Sequence, residues 1–193
     1  MDIERRAFVV EGLELRSSDG GARRLVGHAA VFNQLSDDLG GFREQIAAGA
    51  FAEAIGKDDV RALFNHDPNF VLGRTASNTL TLAEDARGLL IDIVMPDTQT
   101  VRDLVVAPIE RGDVSQMSFA FGVRPGGQDW AKDDEGRNIR TLKRLRLFDV
   151  SPVTFPAYPQ TDVAVRSLHA WRSTQGPAMP NLLVALAQQA RAL

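Results

Sequence analysis

Val114-Ser115-Gln116-Met117-Ser118-Phe119-Ala120-Phe121-Gly122-Val123 is the stretch on which the fold turns. Alternate residues of a strand face opposite sides, so Met117, Phe119 and Phe121 share one face and Ser118, Ala120 and Gly122 share the other. The segment reads as a strand whose Met and Phe face builds a core. Its other face is cut down to hydroxyl, methyl and hydrogen, which leaves room for a second chain segment and places Ser118 in an open position. Small residues also let a helix pack closely on a sheet, so Ser118 gains meaning only from the rest of the chain.

The remaining segments supply strands and a few helices around it. Arg6 to Leu15 and Arg24 to Phe32 are β-rich and flank the turn formers Ser17-Ser18-Asp19-Gly20-Gly21, which predicts a hairpin. Phe42 to Ile55 has helical apolar spacing through Phe42, Ile46, Ala50 and Ala54, weakened by Gly49. Val60 to Pro68 reads as a short strand ending at proline, with His66 at the end of the Val60, Ala62 and Phe64 face. Gly73-Arg74 marks a turn, followed by strands at Thr79 to Leu82 and Gly88 to Met95. Thr98 to Arg111 carries Val101, Leu104, Val105 and Ile109 at helical spacing and is kinked or ended by Pro108. Gly126 to Gly136 is polar and glycine-rich, an exposed hairpin tip or loop. In the extended run that follows, Leu145, Leu147, Asp149, Ser151, Val153 and Phe155 have one parity. Asp149 therefore interrupts an apolar face and requires a partner: a functional group, Arg144, Arg146 or a backbone amide. Ser173 to Pro180 has linker composition, and Asn181 caps a last apolar helix through Leu182, Leu183, Leu186 and Ala190. About eight short strands and two or three helices predict an α+β fold, a closed or nearly closed barrel of mainly antiparallel strands flanked by helices.

Composition narrows the function. The chain of 193 residues is 44% hydrophobic and 24% charged, the balance of a globular domain. Its 22 Lys and Arg against 25 Asp and Glu give a net charge of −3, so the positive field that draws nucleic acid or an anionic membrane is absent. There is no cysteine, hence no thiol nucleophile, thiolate metal site or disulfide framework. Met1-Asp2-Ile3-Glu4-Arg5-Arg6 is not the start of a signal peptide, and no apolar run reaches the roughly 18 residues of a membrane span. A cytosolic protein with no nucleic-acid or membrane partner is expected.

His66, Ser118 and Asp149 are the inventory of an activated serine: a hydroxyl, a base to take its proton, and a carboxylate to orient the base. Met117-Ser118-Phe119 lacks the glycines of a Gly-x-Ser-x-Gly elbow, and the order His, Ser, Asp differs from those of the familiar serine hydrolases. A metal hydrolase using His66, Asp67 and His28 is the rival enzyme class. It is disfavoured because adjacent strand residues face opposite sides and no His-x-x-x-His spacing occurs. A noncatalytic assembly or scaffold module in which Ser118 and His66 only pack is the rival outside enzymes.

Val60-Arg61-Ala62-Leu63-Phe64-Asn65-His66-Asp67, Leu72-Gly73-Arg74-Thr75, Met117-Ser118-Phe119-Ala120-Phe121 and Asp149-Val150-Ser151-Pro152-Val153-Thr154-Phe155-Pro156-Ala157-Tyr158-Pro159 together resemble the tailed-phage prohead protease family, in its order, from about Gly27 to Arg166. The resemblance implies a capsid-maturation serine endopeptidase with a barrel similar to that of herpesvirus proteases. It implies Ser118 as nucleophile, His66 as base and Asp149 as third member, preferred over His28 and His169. It implies as substrates the scaffolding protein or the scaffold-like segment of the major capsid protein, and the chain itself, within the assembling prohead in the bacterial cytoplasm. No cofactor or metal is implied. An extended substrate would add as a strand along the small-residue surface near Ser118. The expected organisation is a protease domain over residues 1–166, a linker over 167–180 and a cleavable targeting helix over 181–193.

Overall fold

The structure, a computed structural model, describes residues 2–9, 13–17, 23–155 and 162–175. Its strands are β1 (Glu4–Val9), β2 (Glu14–Ser17), β3 (Arg23–Val31), β4 (Arg43–Ile46), β5 (Arg61–Phe64), β6 (Asp67–Arg74), β7 (Leu80–Glu84), β8 (Gly88–Val94), β9 (Gln116–Val123), β10 (Gln128–Lys132), β11 (Asn138–Leu142) and β12 (Leu145–Val153). Helices are few: α1 (Ala52–Lys57), a segment in which α2 (Gln99–Val101) passes through a π turn (Arg102–Val106) into α3 (Ala107–Glu110), and α4 (Asp162–Thr174). The π turn lies just before Pro108, which has no N–H to continue the regular ladder; Ala107 donates instead to the Arg102 carbonyl.

The α+β class holds, but the expected closed barrel does not form. The described strands make three open sheets, β1-β9-β12-β5-β6, β10-β11-β4 and β2-β3-β8-β7, with β11–β4 and β12–β5 parallel. Closure is unnecessary because apolar faces are buried by stacking. Met117, Phe119, Phe121, Leu147 and Val150 of the five-stranded sheet share one core with Leu25, Ile91 and Ile93 of the four-stranded sheet and with Phe51, Val105 and Val106.

Three local expectations also change. The Arg6 to Leu15 run is not one hairpin arm: β1 pairs with β9, and only β2 pairs with β3. The stripe Phe42, Ile46, Ala50, Ala54 is buried as predicted for a helix, yet residues 43–46 form a strand on β11. Gly49, at φ +86°, turns the chain before α1 begins. Finally, α4 runs without interruption past residue 166 to Thr174 and buries Ala164 and Leu168 against Leu39 and Phe42, with Trp130 and Trp171 stacked beside them at 5.6 Å. The predicted helix over 181–193 and residues 176–180 before it lie outside the described residues.

The N-terminal strand is held by charge as well as by the ladder. Glu4 and Arg6 of β1, Glu44 of β4 and Arg140 of β11 form a buried cluster of two cations and two anions. Arg140 reaches Glu4 at 2.8 and 2.9 Å and Glu44 at 2.9 Å, while Arg6 reaches Glu44 at 2.7 Å and Glu4 at 3.0 Å. Mutual neutralisation is what permits four charges in a core.

Candidate active site

β9 sits between β1 and β12, with Ser118 opposite Ala7 on one side and Ser151 on the other. Directly opposed residues share a face, so the Met117, Phe119 and Phe121 side is core and Ser118 belongs to the other side. Both edges of β9 are hydrogen bonded, so the expected strand addition beside Ser118 has no free edge to use.

Asp149 reaches that face through a bulge. Leu147 opposes Phe121 and Asp149 opposes Ala120, which leaves Phe148 as an extra residue. The insertion reverses parity: Leu145 and Leu147 point into the core before it, Val150 does so after it, and Asp149 and Ser151 turn to the Ser118 side. The carboxylate therefore does not interrupt the Leu145 and Leu147 face as the alternation implied. Asp58 holds this irregular point. It accepts the Leu147 N–H at 2.9 Å and binds Arg124 through two bonds of 2.7 and 2.9 Å. Nothing in the sequence singled out Asp58, since a residue 89 positions from its backbone partner leaves no local signal.

His66 comes from a turn, not a strand end. Phe64 pairs with Asp67, and the two residues between them, Asn65 and His66, have φ of +54° and +58°. This is the two-residue hairpin geometry with both central residues left-handed, a region that asparagine and histidine enter more readily than most residues that carry a β-carbon. The Asn65 side chain anchors it: its Oδ1 accepts the Thr154 N–H at 2.8 Å, its Nδ2 donates to Thr154 Oγ1 at 3.1 Å, and its backbone N–H donates to the Pro152 carbonyl at 3.0 Å. Pro68 then falls in β6, at the sheet edge, where its missing donor costs no ladder bond.

These devices bring the three residues together. His66 Nδ1 lies 2.6 Å from Asp149 Oδ1 and His66 Nε2 lies 2.7 Å from Ser118 Oγ. Asp149 Oδ1 also accepts the Ser151 hydroxyl at 2.8 Å. An ionised Asp149 accepts Nδ1–H, which leaves Nε2 free to accept the serine proton; this is the tautomer that general-base chemistry needs. The partner of Asp149 is thus His66, while Arg144 binds Glu53 and Arg146 lies over the Phe148 ring. Ser118 is not open as expected: it has no exposed surface, and the His66 and Asp149 side chains keep only 10% and 11%.

The other histidines stand elsewhere. His28 in β3 binds Asp85 at 2.8 Å. The Asp85 carboxyl is lowered to about 2, first by the Gly88 amide and then by His28. His169 is exposed on α4. Among the described residues, no group of three or more His, Asp or Glu side chains is arranged to hold a metal ion.

The family model described as caudovirus prohead serine protease matches residues 11–174. Among solved structures, that of the bacteriophage T4 capsid assembly protease, gp21, is similar with a TM-score of 0.51 and 11% identity, covering 78% of this chain and 96% of that one. At that identity the likeness concerns the fold. No curated protein matches this chain. On a family match that takes in every strand from β2 to β12 and the whole of α4, the chain belongs to the caudovirus prohead serine proteases.

Proposed function

We propose that this peptidase of phage capsid maturation works by a serine mechanism, with Ser118 as nucleophile, His66 as general base and Asp149 as the carboxylate that orients His66. The observation that carries the reading is the unbroken chain of short contacts from Asp149 through both ring nitrogens of His66 to Ser118 Oγ. Ser118 Oγ attacks the scissile carbonyl as its proton passes to Nε2; the imidazolium, stabilised by Asp149, then protonates the leaving amine, and water deacylates the serine by the same route.

The substrates are the scaffolding protein or the scaffold-like segment of the major capsid protein, and the protease itself, inside the prohead assembling in the host cytoplasm. Residues beyond α4 serve as a removable segment that brings the enzyme to the scaffold or capsid protein. Co-expression of the Ser118→Ala variant with the phage's capsid and scaffold proteins tests the whole reading. The hydroxyl sits on a small-residue face, so its loss leaves a negligible cavity and the fold stays intact. Capsid protein and protease should both remain full length; processing at the wild-type sites would overturn the proposal.

A further inference from the structure

A serine mechanism needs donors for the oxyanion of the tetrahedral intermediate. Gln116 precedes Ser118 by two positions in β9, so its side chain leaves the same face of the sheet, with Cα atoms roughly 7 Å apart. A glutamine side chain spans much of that gap. Across the two ladders its neighbours are Val9 and Val153, which have no side-chain polar atoms. Its Oε1 is buried and has no hydrogen-bond partner among the described residues, one of only two such side-chain atoms there. A buried carbonyl oxygen left unpaired is costly and calls for an explanation. The two ends of a glutamine amide exchange by rotation about χ3, so the N–H end can take the place of the unpaired oxygen when an acceptor arrives.

We propose that the Gln116 carboxamide is an oxyanion donor, unpaired at rest and paired when the carbonyl oxygen of the substrate becomes negative beside Ser118. The assignment rests on the serine reading above. As the Oγ–C bond forms and the carbonyl π pair moves onto oxygen, Nε2–H donates to that oxygen, while the serine proton goes to His66. A hydrogen bond made only at that stage raises kcat and leaves substrate binding nearly unchanged.

A fluorophosphonate ester tests this, because its phosphoryl oxygen takes the oxyanion position. Ser118 Oγ bonds to phosphorus, fluoride leaves, and the serine proton passes to His66. The full chain and its Ser118→Ala, Gln116→Met and Gln116→Glu variants are compared for labelling rate and thermal midpoint. Ser118→Ala should not be labelled. Gln116→Met should label about 10²- to 10³-fold more slowly than wild type, the usual loss for one oxyanion donor. Its midpoint should be unchanged or raised, since an unpaired polar group is replaced by an apolar one of similar length. Gln116→Glu should be slower still, with a carboxylate facing the developing charge. Labelling of Gln116→Met within a few-fold of wild type, with Ser118→Ala unlabelled, overturns the oxyanion role and spares the serine reading. A rate loss that merely follows a lowered midpoint also overturns it. A wild-type chain that takes up no label at Ser118 overturns both.

Discussion

Replacing Arg140 by methionine tests how the buried cluster secures the strand beside β9. Arg140 is 1% exposed and gives three hydrogen bonds to Glu4 and Glu44 and a fourth, of 2.7 Å, to Gln128 Oε1. Without it, Arg6 alone faces two buried carboxylates, and one negative charge is left uncompensated. Removing one partner of a buried ion pair costs about 3–5 kcal/mol. For a domain of this size each kcal/mol moves the thermal midpoint by about 2–4 °C, so the variant should melt about 6–20 °C lower near pH 7. Neutrality is the cause, so adding Glu44→Met, which leaves the Arg6–Glu4 pair, should recover most of the loss. The pH dependence has a definite sign. Burial pushes the Glu4 carboxyl up, but the hydrogen bond and charge of Arg140, followed by Arg6, outweigh it and hold Glu4 below its ordinary value. A depressed carboxylate contributes stability that is full above its unfolded pKa and lost as pH falls through the folded one. Methionine at 140 removes the largest lowering influence, so Glu4 takes up its proton at higher pH in the variant and the unpaired charge is relieved. The gap between the two proteins should therefore shrink on acidification. Calorimetry between pH 4 and 8 checks this: a neutral-pH shift under about 2 °C, or a gap that widens in acid, would refute the argument.

Asp149→Asn should fold normally, because Ser151 and His66 can still bond to the amide, yet slow cleavage by up to about 10⁴-fold by favouring the wrong imidazole tautomer; near-normal turnover would remove Asp149 from the mechanism. Asn65→Ala forfeits two side-chain hydrogen bonds and places a β-carbon residue with little left-handed tolerance at φ +54°, a combined cost of about 2–4 kcal/mol. Chemical denaturation reads that cost, and activity should fall further than stability because His66 is the next residue. Truncation after Gln175 should leave a folded, active enzyme that no longer enters proheads. Truncation after Arg166 should instead aggregate, since it removes Leu168 and Trp171 and uncovers Leu39, Phe42 and Trp130; equal solubility of the two would show that α4 is not part of the core.

Alternation within single segments was legible in the sequence because it depends only on residues two apart. The two faces of β9 follow from Met117, Phe119 and Phe121 against Ser118 and Ala120, and the same reasoning singled out His66, Ser118 and Asp149 as polar residues needing an explanation. Family membership was also carried by short contiguous motifs. What the tertiary structure decided depends on partners far along the chain. The face taken by Asp149 is set by a bulge whose Leu147 N–H is satisfied by Asp58, 89 residues away. Glu44 lies in a strand, against the helical spacing around it, because β11 offers a parallel ladder and Arg6 and Arg140 offer neutralising charge. His66 is placed by a turn whose anchor, Thr154, comes from beyond β12. Three open sheets form instead of a barrel because stacking them already removes their apolar faces from water, a choice that local alternation does not encode.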